Sequence, residues 1–195
     1  MFLQDLWDLC FAGRRQVATQ TTIEANIKRG IQFDCSVRFP SVAANGGTAT
    51  IGLTTGNERV IIHERFIAFN SGATELQYQA AKQCAYTGGT PIEKHNNNHR
   101  SANLGKFTVV HSPTVTDNGD IYLEPFSIIS GGAGSSKVGT DGRGKITILE
   151  PNTQHVFTFT NPSAQIASPV FWWITVSEGD PEFEPDLYGD LNKFV

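Results

Sequence analysis

A chain of 195 residues can bury one full core, and a second complete domain would be cramped. Hydrophobic residues make up 39% and charged residues 17%, with 19 glycines, 9 prolines and 13 phenylalanines, a balance that suits short strands and turns better than long helices. Net charge is −4, and the segment from Glu178 to Val195 alone holds six acids and one lysine, so no basic patch draws nucleic acid.

At the N-terminus Phe2, Leu3, Leu6, Trp7, Cys10 and Phe11 recur at steps of three and four. That spacing puts them on one face of a short helix, with Gln4, Asp5 and Asp8 turned away. Asp5 and Asp8 interrupt the apolar run and no basic region precedes it, so a signal peptide is not expected. Nor does any stretch approach the roughly 18 apolar residues that span a membrane, so the expectation is a soluble protein with no membrane partner. After Gly13 the polar "RRQVATQTTIEANIKRG" reads as a linker with one further helical turn at most. Residues 1–30 are therefore expected to form a helical arm that docks its apolar face on a neighbour; a helix capping its own domain is the alternative.

From Ile31 the pattern changes to alternation and to β-branched and aromatic runs. Nine segments read as strands: "IQFDCSVRF", "TATIGLTT", "RVIIHERFIAFN", "TELQYQAA", "KFTVVHS", "DIYLEPFSII", "KITILE", "QHVFTFTN" and "PVFWWITVS". Clusters of Gly, Asn, Asp and Pro separate them and supply the positive or pre-set φ that tight reversals need. Short strands at this spacing, without helices between them, describe an all-β chain: an antiparallel β-sandwich over 31–177, with the jelly roll as the variant of matching strand count.

Between the fourth and fifth of these strands lies "YTGGTPIEKHNNNHRS", Tyr86 to Ser101. His95 and His99 are four residues apart, a spacing that serves zinc on a helix. The surrounding glycines, proline and asparagines do not favour helix, and a third ligand is not in sight. Asparagines tolerate left-handed φ and bond their own backbone, so the stretch is read as a demanding strand connection, with His95 and His99 as weak metal candidates.

Further on, "SIISGGAGSSKVGTDGRGK" has six glycines in nineteen residues and buries no apolar surface of its own. In "FWWI", period-2 alternation sends Phe171 and Trp173 one way and Trp172 and Ile174 the other, giving a core face and an interface face; sugar stacking on Trp172 or Trp173 is the competing use. The tail 178–195 sets acids among Phe183, Leu187, Tyr188, Leu191 and Phe194, and is expected either to lie along another surface through those anchors or to stay solvated. Cys10, Cys35 and Cys84 are odd in number and fit no CxxC spacing. They are read as buried reduced thiols, with an inter-subunit disulfide through Cys10 as the alternative. Local signatures of nucleophilic catalysis are lacking, "GGAGSS" lacks the lysine and helix of a phosphate loop, and no catalytic residue, enzyme activity or cofactor is expected.

The order "GIQFDCSVRF", "GGTATIGLTTGNERVIIHERFIAFNSG", "YTGGTPIEKHNNNHRS" and "ILEPNTQHVFTFTNPS", closed by the aromatic strand, resembles small virion structural proteins of tailed bacteriophages over about Gly30 to Glu178. By position, Gly88, Gly89, Thr90, Pro91, Asn96, Asn98 and Arg100 match that family's loop, and Pro151, Asn152, Thr153 and Asn161 its late strand. The resemblance implies a jelly-roll-like, non-catalytic particle protein, trimeric or otherwise homo-oligomeric, assembled in the host bacterial cytoplasm and carried in the virion. Its expected partners are further copies of itself and the major capsid protein or other virion proteins. A capsid decoration or auxiliary role is the leading expectation, docked through the N-terminal helix (Phe2, Leu3, Leu6, Trp7, Phe11) and the tail (Phe183, Leu187, Tyr188, Phe194). A neck, collar or tail-associated spike or fibre-attachment protein is the second reading, and a carbohydrate-binding adhesion module the third.

Overall fold

Alternating apolar residues can be buried on one face of a strand only if a second sheet covers that face. The computed structural model, which describes residues 26–69, 72–129, 137–140 and 147–179, meets that demand with two antiparallel six-stranded sheets. Its strands are β1 (Gln32–Phe39), β2 (Gly47–Thr54), β3 (Val60–Phe69), β4 (Glu75–Lys82), β5 (Ala85–Thr87), β6 (Thr90–Pro91) and β7 (Lys94–Asn96), then β8 (Thr108–His111), β9 (Thr114–Asp117), β10 (Asp120–Ile129), β11 (Lys137–Thr140), β12 (Thr147–Leu149), β13 (Gln154–Asn161) and β14 (Val170–Glu178). One sheet runs β11-β3-β14-β1-β7, with β12 also on β3; the other runs β10-β4-β13-β2-β8-β6. All nine expected strands form, and the described residues are all-β apart from a helical turn at 26–29. The N-terminal helix, Cys10 and the tail beyond Gly179 lie outside the described residues.

The core fills the space between the sheets. Phe33 and Cys35 on β1, Ile67 and Phe69 on β3 and Trp172 and Ile174 on β14 meet Ile51 and Leu53 on β2, Leu76 and Tyr78 on β4 and Phe157 and Phe159 on β13, all buried. Aromatic rings bridge the layers: Phe157 lies 5.8 Å from Trp172 across the gap and stacks on Tyr78 at 6.3 Å. Trp172 is thereby committed to the core, which removes it as a sugar-stacking platform. Burial pushes the Cys35 thiol up to about 12 and raises that of Cys84 as well, so both stay protonated and unreactive at neutral pH.

Between β4 and β10 the chain makes one long excursion, 83–119, that serves both sheets. β7 pairs with β1 over Phe33–Cys35, β8 pairs with β2, and β6 pairs with β8. The β5–β9 pair lies on the outer side of the second sheet, where Tyr86 packs with Ala81, Cys84 and Val156 in a small cluster of its own. Gly52 makes room for this: a Cβ there would stand 2.5 Å from Tyr86 Cζ. The Tyr86 hydroxyl then shares a 2.6 Å hydrogen bond with Thr54 Oγ1.

Two predictions follow from this packing. Gly52→Ala forces Tyr86 off its seat and lowers unfolding free energy by about 1–3 kcal/mol in a urea titration, whereas an unchanged midpoint would contradict the contact. The second concerns His155, which is buried and bonded through Nε2 to Thr153 Oγ1 at 2.8 Å. Burial first, and Lys82 second, lower its imidazole from 6.5 to about 4. The folded chain therefore resists a proton that the unfolded chain accepts, and the stability held by the neutral ring is full above pH 6.5 and lost as pH falls toward about 4. On the order of 3 kcal/mol is at stake. His155→Gln flattens the stability profile across that window; an equally steep profile in the variant would count against it.

Candidate functional site

On β14 the alternation that buries Trp172 and Ile174 turns Phe171 and Trp173 outward, where they remain 41% and 36% exposed. Register then decides their neighbours. Phe66 on β3 and Ser36 on β1 flank Trp173, while Ala68 and Arg38 flank Phe171. The Phe66 and Trp173 rings lie 6.1 Å apart, and the Arg38 guanidinium sits 5.5 Å from the Phe171 centroid, a cation held over an aromatic face. Next along the strands come Glu64, Thr175 and Asp34, with Thr175 Oγ1 donating to Asp34 Oδ1 at 2.7 Å. β7 extends this outer face by placing exposed His95 opposite Asp34. All of these residues except Glu64 and Thr175 line an open trough of about 610 Å³, which Val37 and Trp172 also border. Its floor is aromatic and its rim carries a guanidinium, a carboxylate and an imidazole, which suits a partner's apolar surface or a flat polar ring.

One bulge interrupts the β3–β14 ladder beside this face. His63 there shares a 2.9 Å hydrogen bond through Nε2 with Ser177 Oγ, and burial lowers the His63 imidazole while Glu64 pulls it back up. Ser177 is buried, so this serine–histidine pair is closed to a substrate.

The loop from Tyr86 to Ser101 supports the edge of the face. Gly88 and Gly89 take positive φ, 65° and 96°, to turn β5 into β6, where Pro91 pairs with Val110. Part of the asparagine stretch is itself strand, since β7 ends at Asn96. From there Asn96 Nδ2 donates to the carbonyls of Gly30 and Asn103 at 2.8 and 2.9 Å, and its Oδ1 accepts from the Asn98 amide at 2.8 Å. Asn98 repeats the device, donating to Lys28 O at 3.0 Å and accepting from the Arg100 amide at 3.1 Å. Lys94 Nζ donates to the carbonyls of Gly105 and Phe107 and lies 4.7 Å from the Phe107 centroid; burial lowers its ammonium, opposed by Glu178. Glu178, 3% exposed, completes the closure by accepting the Lys106 amide at 2.7 Å and the Phe107 amide at 2.9 Å.

Of the residues singled out in the sequence, His95 and His99 are both exposed, one on a strand and one on the turn after it. Among the described residues, no group of three or more His, Cys, Asp or Glu could hold a metal ion. Asn152 takes φ 54° in the turn before β13, and Asn161 Nδ2 donates to the carbonyls of Val42 and Gln165 at 3.2 and 2.8 Å. Phe2, Leu3, Leu6, Trp7, Cys10 and Phe11, and likewise Phe183, Leu187, Tyr188 and Phe194, lie outside the described residues. Arg38, Phe66 and Asp34 escaped the sequence reading because only strand register brings them beside Trp173; the two-sided pattern of "FWWI" was the one available signal.

No protein-family model and no curated protein matches the chain. Among solved structures it is similar to infectious bursal disease virus, Gx strain, at 12% identity and a TM-score of 0.17, over 81% of this chain and 46% of that one. The Gt strain gives 12% identity and a TM-score of 0.18, over 83% and 47%. The chain thus spans just under half the length of the viral chains it matches.

Asn96→Ala removes two donated bonds to carbonyls and one accepted amide. It is expected to lower stability by about 1–3 kcal/mol and to speed proteolysis within 86–105. A melting temperature and cleavage pattern equal to the parent's would show that the network adds nothing.

Proposed function

We propose that this chain is a structural protein of a virus particle, a jelly-roll component of the capsid decoration or auxiliary kind that works as a homo-oligomer and performs no catalysis. The observation that carries the reading is strand order. β1-β14-β3 followed by β11 and β12 lies opposite β2-β13-β4-β10, the order produced when two Greek keys are rolled into a pair of sheets. Jelly rolls serve capsids, lectins and cupins alike, so a further argument is needed to choose among them. One comes from the sequence resemblance, which spans most of the sandwich. The other is the outer aromatic face, because apolar surface of this kind is kept exposed for a partner. Site on the particle follows from copy number: a shell-covering auxiliary protein is present in hundreds of copies, a neck, collar or tail protein in a dozen or fewer.

A second reading, a glycan-binding module, is favoured by one specific feature. The trough sets Trp173 and Phe171 beside Asp34, Arg38 and His95, a stacking surface next to hydrogen-bonding groups. Trp172 also borders the trough, but its ring is buried in the core and offers no stacking face.

Quantitative mass spectrometry of purified particles that encode this sequence tests the first reading. Hundreds of copies per particle are expected; absence from particles would overturn it, and a dozen or fewer would move the protein to the neck or tail. Titration with host surface polysaccharide, followed by tryptophan fluorescence, tests the second. The virion reading expects no saturable change, and a change abolished by Trp173→Ser would favour the glycan module.

A further inference from the structure

The outward side chains of the β3–β14–β1 face fall into three rows. One row is Ala68, Phe171 and Arg38; the central row is Phe66, Trp173 and Ser36; the third is Glu64, Thr175 and Asp34. Positive charge therefore stands on one side of an aromatic centre and negative charge on the other. We propose that this face is the contact between two copies of the chain, packed sheet to sheet about a two-fold axis that runs along the central row.

Such an axis reverses strand direction and preserves strand order. Arg38 of each copy then faces the partner's Asp34, Trp173 meets the partner's Trp173, and Ser36 meets the partner's Ser36. Each contact occurs twice or lies on the axis, which is the self-complementarity an isologous interface requires. Arg38 is already steadied by the Phe171 ring, and Asp34 by Thr175, so little side-chain freedom remains to be lost on pairing. Aligned sheet packing at about 10 Å suits the interdigitation of aromatic rows. Strands β1, β3 and β14, at about 4.8 Å spacing and about 26 Å of length, with three-residue β7 beside β1, give on the order of 400 Å² a side, or about 800 Å² in all, the size of a weak, reversible contact.

The acidic tail is a poorer occupant of the same face. The described chain leaves β14 at Gly179, and the row of Glu64 and Asp34 stands between that exit and the aromatic centre. Beyond Gly179 the sequence has five acids and one lysine, so it meets like charge before it reaches Trp173. A second copy brings Arg38 to those carboxylates instead.

This deepens the reading above and needs only its homo-oligomer part. Sedimentation of the full chain across a wide concentration range is expected to show a monomer–dimer equilibrium. Exposed Ser36 sits on the axis, so Ser36→Glu and Ser36→Lys each set like charges against each other and weaken the dimer about tenfold or more, while an equal mixture of the two variants restores it. Arg38→Asp weakens it similarly, and deletion of 180–195 leaves it intact. Circular dichroism of each variant confirms folding. A dimer or trimer that persists unchanged in the Ser36 variants would overturn this face as the contact and leave homo-oligomerisation standing. Loss of the dimer on tail deletion alone would place the contact in the tail and overturn this face, and a monomer at every concentration would overturn both the contact and the homo-oligomer.

Discussion

The Glu178 carboxylate, buried at the end of β14, accepts the backbone amides of Lys106 and Phe107, and much of the architecture depends on that junction. Two twisted sheets laid face to face have open edges, and an open edge carries unpaired backbone groups that invite another chain. Here the excursion 83–119 supplies β7 to the first half of β1 and β8 to β2, so one segment closes the same side of both sheets. A segment of two- to four-residue strands has little cohesion of its own. It is fastened at its ends by β4 and β10 and in its middle by Glu178, by Lys94 on two carbonyls and by asparagines that reach Lys28 and Gly30. The fastening point belongs to a central strand, which links the excursion to the best-paired part of the fold.

Closing these edges bears on the proposed pairing of two copies. With β7 and β8 in place, edge-to-edge pairing at that side is restricted, while the outer face of the β3–β14–β1 sheet sets two exposed aromatic rings side by side. The same strand serves both ends of this arrangement. Trp172 and Ile174 hold the two sheets together, and Phe171 and Trp173 stand in solvent one residue away on either side. Under the proposed pairing, substitutions at adjacent positions of β14 would separate stability from association.

How much of this was legible in the sequence depended on the range of the determining contact. Strands such as "QHVFTFTN" and "DIYLEPFSII" carry enough β-branched and aromatic residues to declare themselves, and their bounds coincide with β13 and β10. β5, β6, β7, β9 and β11 did not, because two to four residues cannot show a period and their pairing is set by distant partners. Asn96 and Asn98 were readable as backbone-bonding residues, yet their acceptors at Gly30 and Lys28 lie some seventy positions earlier in the chain. Likewise "FWWI" announced two faces by its alternation, while Arg38, Phe66 and Asp34 joined it only through register. The glutamate at 178 looked like the first acid of a polar tail; burial makes it the anchor of the excursion.

Native-state hydrogen exchange on Glu178→Ala probes that anchor most directly. The amides of Lys106 and Phe107, together with those of β7 and β8, should exchange on the order of ten- to a hundredfold faster, while the β3–β14 and β4–β13 ladders keep their protection. If protection within 94–111 were unchanged, the excursion would be held by something other than Glu178, and the account of how this fold closes its edges would be wrong.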